Sequence, residues 1–307
     1  ANSQTKVLLT SRLYPKELNQ IDGCLRKDLT EMDKDDAVEF FHQQGIKGAR
    51  HEIQDACQPF GYHPLSLRLL SGMILKDPKY AADIKAFTKF NPLPELVPRE
   101  HNILELAYDS LDKQKQEFIS KLAAFRNPMD YEAMAIFNQF GAEARFEQAL
   151  IELVDRGILL RDEKSNRYDL HPIVRRYCYD RLKGKDAVHS QLRDYFASLP
   201  KPERVESLDD LAPVIELYSH TVSSERYDEA VELFRDRLAT PLYFQFGAYN
   251  LRIELLRALF PDEEKRPPRL KKEDAQAWTL NALANSYSLS GQPQKAVPLF
   301  EMVNRLK

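Results

Sequence analysis

Apolar residues recur at helical spacing along most of the chain. Residues 142–156 are typical, because their apolar positions follow the i, i+3, i+4, i+7, i+8 pattern of an amphipathic helix. These positions are Phe146, Ala149, Leu150, Leu153 and Val154. Glycine is scarce, and turn residues at the short intervals of an all-β protein are missing. The pattern therefore predicts a mainly α fold.

Residues 33–98 carry the pattern of a four-helix bundle. Asp33 is a good N-cap for a first helix that ends near Gly45, and Pro64 suits the first position of a third helix. Apolar residues mark the second and fourth helices: Ile53, Ala56 and Cys57, and then Tyr80, Ile84 and Phe87. Three prolines between residues 91 and 98 predict a linker after the bundle.

Residues 99–184 have the order of a winged-helix domain. Helical patterns cover residues 101–111, 112–125, 131–140 and 142–156. A short apolar run, a polar turn at 162–166 and a second short run then predict a pair of strands. A new helical pattern begins at Pro172, directly after His171. The strand pair corresponds to the wing of such a domain.

Residues 185–307 predict tetratricopeptide-like helical repeats. The last repeat has large and small apolar residues at the intervals of that motif, and Gly291 provides the turn between its two helices. Its pattern consists of Leu280, Leu283, Ala284, Tyr287, Gly291, Ala296 and Phe300. A weaker copy covers residues 214–234, and a degenerate one lies between them at 249–260. Stacked repeats of this kind form an α-solenoid with a concave binding surface.

Residues 1–32 have a different character from the rest of the chain. Lys6 to Thr10 form a short apolar run with strand-like residues, which Ser11 and Arg12 end. One strand needs neighbours, so we interpret this segment as the last fragment of a larger parallel sheet whose earlier strands lie upstream of residue 1. The family resemblance given below implies that this sheet is the C-terminal remnant of an α/β nucleotide-binding domain. The predicted fold is this remnant, a four-helix bundle, a winged helix and the repeats.

Composition excludes several classes of protein. The 307 residues carry a net charge of −3 and no basic block, which does not favour nucleic acid as a partner. No apolar run reaches the roughly 18 residues of a membrane span. The three cysteines lie far apart and are odd in number, which argues against a disulfide framework. We expect a cytoplasmic protein without membrane attachment.

Four stretches, in this order, resemble motifs of the NB-ARC group of STAND signalling ATPases. Residues 6–12 (KVLLTSR) resemble the sensor strand, and residues 61–65 (GYHPL) resemble the Gly-x-Pro motif. Residues 106–111 (LAYDSL) resemble the start of the winged helix, and residues 170–172 (LHP) resemble the Met-His-Asp motif. Tetratricopeptide repeats are a familiar C-terminal sensor in bacterial members of the group. The resemblance covers nearly the whole chain.

The resemblance implies a nucleotide site built from Ser11, Arg12, Pro64 and His171. Arg12 at the end of a parallel strand would contact the terminal phosphate, for which a guanidinium is well suited. Pro64 would pack near the adenine, and His171 would hold the β-phosphate of ADP. The cofactors implied are ADP and ATP, with Mg²⁺ accompanying ATP. The family's activity further implies a protein or peptide ligand at the repeats and homo-oligomerisation on activation.

The sequence also departs from the family. It contains no Gly-x-x-x-x-Gly-Lys-Ser/Thr and no apolar strand that ends in paired acids, so we expect those parts upstream of residue 1. This chain is then not an enzyme by itself, although the parent protein would be an ATPase. Pro172 stands where the family has aspartate, and His63 replaces an apolar residue.

Three alternatives are open at this point. The chain could be a tetratricopeptide interaction scaffold without a nucleotide role, in which His171 only caps a helix. It could be a DNA-binding regulator, although residues 142–156 of the winged helix carry more acidic than basic side chains. His51, Cys57 and His63 could suggest a metal, but their spacing matches no closed zinc pattern. We predict no metal ligands in this chain.

Overall fold

The computed structural model describes residues 6–10, 18, 21–27, 29–90, 99–202, 204–262 and 264–305, and side chains from residue 103 onward in the segment that begins at 99. Helices dominate this part of the chain, as the sequence predicts. The α-helices are α1 (Lys34–Gln43), α2 (Arg50–Cys57), α3 (Pro64–Leu75), α4 (Arg99–Asp109), α5 (Lys113–Leu122), α6 (Tyr131–Ala135), α7 (Glu143–Asp155), α8 (Pro172–Asp180), α9 (Lys185–Ser198), α10 (Ala212–Ser223), α11 (Tyr227–Leu233), α12 (Tyr249–Arg257), α13 (Glu273–Leu289) and α14 (Pro293–Arg305).

The first three helices pack as a bundle around fully buried side chains. Asp33 caps α1, because its carboxylate accepts a hydrogen bond from the main-chain nitrogen of Asp35 at 2.8 Å. Phe41 of α1, Ile53 of α2 and Leu69 of α3 are each 0% exposed. Their burial is the expected result of the apolar spacing in the three segments.

The fourth predicted helix of the bundle is a six-residue 3₁₀ helix, Ile84–Lys89. The helix cannot start earlier, because the carboxylate of Asp77 accepts the main-chain N–H groups of Lys79 (2.9 Å) and Tyr80 (2.7 Å). Ala82 has a left-handed φ of 56°, which also interrupts a helix. Local side-chain bonding of this kind competes with helix formation.

Residues 99–184, here called the central unit, follow the predicted element order. Two strands, β1 (Leu160–Asp162) and β2 (Arg167–Asp169), pair antiparallel, with Arg161 opposite Tyr168. The strand pair predicted after α7 is therefore present. The helix predicted over 131–140 ends earlier, at Ala135, and a turn follows in which Asn138 Oδ1 accepts the main-chain N–H of Phe140 at 2.9 Å.

Helices α10 to α14 form the predicted repeats, with a core of their own. Most apolar pattern residues of the last repeat are buried, Leu283 and Ala284 completely, whereas Phe300 is 36% exposed and the turn residue Gly291 is also exposed. Two π-helical segments, Phe234–Leu238 and Pro241–Gln245, extend α11 and were not predicted. Pro241 has no N–H group to donate to the preceding turn, which favours irregular helical bonding there.

Two apolar cores divide the described residues. One runs without a break through the bundle, the central unit and α9, and the other lies within the repeats. The bundle and the central unit therefore share buried surface, which positions their facing residues relative to each other. No helix among the described residues has the length and apolarity that crossing a bilayer requires.

The strand predicted over Lys6 to Thr10 is not seen. These residues have no regular secondary structure, and Val7 and Leu8 are 85% and 90% exposed. A strand needs a partner for its main-chain hydrogen bonds, and the described residues around it supply none. The assignment of residues 1–32 to a nucleotide-binding domain stays a prediction.

Candidate functional site

Pro64 starts α3 after a tight turn. Gly61 and Tyr62 both have left-handed φ angles, 60° and 57°. The turn is held by Tyr62, whose hydroxyl donates to the main-chain oxygen of Gln54 at 3.1 Å and whose main-chain oxygen accepts from Met32 at 3.0 Å. Pro64 is exposed at the first helical position, where its missing N–H costs nothing.

His171 caps the helix that follows the strand pair. Its Nδ1 accepts the main-chain N–H of Ile173 at 3.3 Å. Nδ1 is therefore assigned as the unprotonated nitrogen, and the proton of the neutral ring lies on Nε2. Capping and ligand binding do not exclude each other in this geometry, since the first uses Nδ1 and leaves the Nε2–H group to donate elsewhere.

The charges around His171 connect it to the Pro64 turn. Burial lowers the pKa of His171, the electrostatic influence of His63 and Arg68 lowers it further, and Asp169 opposes them. His63 precedes Pro64, and Arg68 lies one helical turn after it. The start of α3 therefore lies close enough to His171 to influence its pKa, and the imidazole is neutral at pH 7.

Two glycines allow α3 to lie directly against the end of α7. A Cβ atom on Gly72 would come within 2.3 Å of the main-chain oxygen of Arg156. One on Gly157 would lie 2.8 Å from Cγ of Arg68. Gly157 also has a left-handed φ of 69°, which ends α7. The bundle and the central unit are therefore in main-chain contact beside Arg68.

A cleft of about 570 Å³ opens between α1, α3 and the end of α7. Its volume falls in the range of small-molecule sites, roughly 300–1,000 Å³. Nine residues line it: Phe40, Gln44, Arg68, Ser71, Leu75, Lys76, Val154, Asp155 and Gly157. Lys76 and Asp155 form an ion pair at 2.7 Å. Arg68, the other cation in this lining, has no carboxylate partner among the described residues.

Of the four predicted site residues, the structure describes two. Pro64 starts α3 and His171 caps α8, and their roles as nucleotide-binding residues stay predictions. Ser11 and Arg12 lie outside the described residues. Arg68 was missed, although its position four residues after Pro64 places it on the same face of the third helix.

No family model matches this chain, and no curated protein matches it. Among solved structures, the chain is similar to the crystal structure of a Signal Transduction ATPase with Numerous Domains (STAND) protein with a tetratricopeptide repeat sensor from Pyrococcus horikoshii. The two share 15% identity with a TM-score of 0.44, over 90% of this chain and 41% of that one. This chain therefore spans less than half of the length of that protein.

The metal alternative has no support in the described residues, where no group of three His, Cys, Asp or Glu side chains could hold an ion. Cys57 is fully buried, and burial raises the pKa of its thiol to about 12. A thiol with that pKa is protonated at neutral pH and is a poor metal ligand.

A buried polar network joins α8 to the repeats. The Tyr179 hydroxyl lies 2.8 Å from Nε2 of His189, and Nδ1 of His189 lies 3.0 Å from Nδ1 of His220. Nε2 of His220 is 3.2 Å from the Glu216 carboxylate, within ion-pair distance but poorly aligned for a hydrogen bond. A carboxylate only accepts hydrogen bonds, so we assign the proton positions from Glu216 backwards. The Nε2–H of His220 points toward Glu216, the Nδ1–H of His189 donates to His220, and the Tyr179 hydroxyl donates to His189.

Three side chains lie at four-residue intervals along α8, starting from its N-cap: His171, Arg175 and Tyr179. Arg175 donates to the main-chain oxygen of Phe125 and pairs with Asp169. One face of α8 therefore runs from the candidate site to the network that contacts the repeats.

The repeats offer a second, polar cleft of about 310 Å³. Its lining combines charged, amide and aromatic side chains from α12, the end of α13 and the start of α14: Asn250, Ile253, Glu254, Arg257, Tyr287, Gln292 and Lys295. Such a lining can hydrogen-bond a polar ligand.

Proposed function

We propose that this chain is the regulatory and sensor portion of a nucleotide-dependent STAND-type switch. ADP would bind where the Pro64 turn and His171 meet, and so hold the bundle against the central unit, which we interpret as a winged helix. The single observation that carries this is the cap on Nδ1 of His171, which leaves the Nε2–H group available to a ligand. A neutral N–H donor can hydrogen-bond an oxygen of a diphosphate.

The residues present fit a phosphate but not its metal. His171 offers an N–H donor and Arg68 a positive charge, whereas Mg²⁺ prefers oxygen ligands. We therefore assign no Mg²⁺ ligand in this chain. ATP in place of ADP would alter the contact with His171, and any hydrolysis belongs to the parent protein rather than to this chain.

Ligand binding at the repeats would be transmitted through α8. The network from Tyr179 to Glu216 gives the repeats a direct contact with the helix that His171 caps. We propose a protein or peptide as the ligand of the repeats and self-association as the response. A hydrogen bond to a charged group contributes about 1.5–3 kcal/mol, whereas moving a switch from 1:99 to 99:1 needs about 5.5 kcal/mol. His171 alone would not set the switch, so packing must contribute.

Two substitutions at His171 separate its roles in the intact protein expressed from the whole reading frame. His171→Asn keeps a good helix cap but removes the Nε2–H donor, whereas His171→Ala removes both. We expect His171→Asn to weaken ADP binding at least tenfold by calorimetry, with an unchanged melting temperature. His171→Ala should weaken binding equally and also lower the melting temperature. Unchanged ADP affinity in His171→Asn would leave the scaffold alternative as the better account.

A further inference from the structure

The polar cleft of about 310 Å³ in the repeats, here called the repeat cleft, is lined by charged groups of both signs. Its volume lies at the small end of the range for small-molecule sites, roughly 300–1,000 Å³. Ile253 is the one aliphatic side chain among the described residues that line it. Hydrogen bonds and charge, rather than apolar burial, would therefore hold a ligand here.

The two signs of charge occupy different ends of the repeat cleft. Glu254 and Arg257 lie three residues apart on α12, so they are neighbours on the helix surface at about 5–6 Å between Cβ atoms. Nζ of Lys295 lies 5.3 Å from the centre of the Tyr287 ring, and the Tyr287 hydroxyl donates at 2.7 Å to Glu264, which pairs with Arg257. Arg257 and Lys295 thus form a positive end beside Tyr287, and Glu254 forms a negative end.

The positive end has donors available to a ligand. Lys295 is exposed, and its Nζ donates to the amide oxygen of Gln292 at 2.9 Å. It has no carboxylate partner among the described side chains. Arg257 pairs with Glu264 through Nε, and its guanidinium carries further N–H donors. A carboxylate entering this end would meet positive charge that the surrounding residues do not fully neutralise.

The negative end is connected to the central unit. Glu254 pairs with the side chain of Arg126 at 2.8 Å, and the two side chains are 60% and 30% exposed. An exposed ion pair contributes little to stability, so a ligand cation can take the place of Arg126. The main-chain nitrogen of Arg126 donates to Glu216 at 3.0 Å, which keeps the loop in position when its side chain moves away.

We propose that the repeat cleft binds a zwitterion of the size of an amino acid or a dipeptide. Its carboxylate would bind Lys295 and Arg257, and its ammonium would replace Arg126 at Glu254. This site is separate from the nucleotide site of the proposed function and does not require it. Binding would break one contact between the repeats and the central unit, and by linkage the absence of that contact would favour binding.

The competing occupant is an internal acidic segment of a protein. Such a segment offers carboxylates to Lys295, but it has no free ammonium and would place negative charge beside Glu254. Blocking the two ends of the ligand separately distinguishes these occupants, because only the zwitterion needs both.

The first experiment is calorimetry on the nucleotide-free intact protein with the protein amino acids and their homodipeptides. We expect at least one of them to bind with a dissociation constant of about 1 mM or tighter. Its C-terminal amide and its N-acetyl derivative should each bind about tenfold more weakly or worse. Binding by none of these compounds would overturn the proposal, as would tighter binding of an N-acetylated, amidated tetraglutamate.

The second experiment pairs each end of the ligand with a side chain. Lys295→Gln should weaken binding of the zwitterion about tenfold but change binding of its amide by less than about twofold, because the amide has lost the group that Lys295 contacts. Lys271→Gln is the control, since Lys271 is exposed, lies outside the cleft and has no ion-pair partner among the described side chains. An equal loss in Lys271→Gln would overturn the assignment, because the effect would then be one of net charge.

Arg126→Gln tests the displacement by the sign of its effect. Glu254 loses its competing partner in this variant while the main-chain bond to Glu216 is kept, so the zwitterion should bind several-fold more tightly. The N-acetyl derivative, which has no ammonium, should gain less than about twofold. Unchanged or weaker binding of the zwitterion would show that it does not replace Arg126. Melting temperatures of all variants check that they are folded.

Discussion

The carboxylate of Glu216 accepts hydrogen bonds from the main-chain nitrogen of Arg126 at 3.0 and 3.2 Å. The same carboxylate accepts the N–H of Asn127, so one side chain of α10 binds two consecutive main-chain groups of the central unit. Glu216 is only 2% exposed. Phe125, the residue before Arg126, receives Arg175 of α8 on its main-chain oxygen. This loop therefore connects the repeats to the helix that His171 caps.

Removing the Glu216 carboxylate should loosen the repeats from the central unit. We expect Glu216→Ala to destabilise the protein by about 3 kcal/mol, because two partly buried main-chain N–H groups lose their acceptor. Glu254→Ala is the control, since Glu254 pairs at 2.8 Å with the side chain of the same Arg126 but is 60% exposed. That change should cost less than about 1 kcal/mol. Calorimetric melting of both variants measures the difference, and equal effects would argue against a special role for Glu216.

The buried histidine pair predicts a loss of stability in acid. Burial, with a contribution from His220, lowers the pKa of His189 to about 4 from the 6.5 of an unperturbed histidine. The folded state then binds fewer protons than the unfolded state between these values. Stability should accordingly fall as pH decreases from about 6.5 toward 4, by up to about 3 kcal/mol from this group.

Other titrating groups also contribute in that range, so the test compares variants. Tyr179, His220, Glu216, Asp186 and Lys185 are the titratable groups around His189. Denaturation at several pH values should show a shallower acid loss in His189→Gln than in the wild type. His51→Gln, at an exposed histidine, should keep the wild-type slope. A parallel slope in His189→Gln would mean that His189 does not carry the acid sensitivity.

The contact between α3 and α7 predicts that replacing Gly72 with alanine lowers stability, which is the opposite of the usual effect in a helix. In an isolated helix, Gly72→Ala would stabilise by about 1 kcal/mol. Here the added Cβ would meet the Arg156 main chain at 2.3 Å, so we expect a net destabilisation of about 1–3 kcal/mol. Gly141→Ala measures the cost of backbone strain without a steric clash, because Gly141 has a φ of 84° and open space around it. Thermal unfolding distinguishes them, and a more stable Gly72→Ala would show that the two helices are not in close contact.

The sequence predicts elements well where local signals decide them. Asp33 and Pro64 start helices as expected, and the polar turn at 162–166 separates two strands. The 3₁₀ helix at 84–89 was missed because the Asp77 carboxylate takes up main-chain N–H groups, a choice that apolar spacing does not reveal. The π-helical bonding after α11 likewise leaves no periodic signal.

The site shows the same division between local and long-range information. His171 and Pro64 were predicted from short motifs, whereas the close approach of Arg68 to Gly157 arises only when the chain folds. The contact of His189 with His220 joins residues 31 positions apart in the sequence, which no local pattern predicts. Contacts between distant segments depend on packing, and a single sequence does not specify their geometry.

Amide hydrogen exchange tests the central claim most directly, because it locates the bound nucleotide. The nucleotide-free intact protein would be measured with ADP, with adenosine and without ligand. ADP should slow exchange in peptides that cover residues 61–68 and 171–176, and adenosine should protect only the first of these. If ADP binds but protects neither segment, the nucleotide does not bridge the Pro64 turn and His171, and the proposed switch site is wrong.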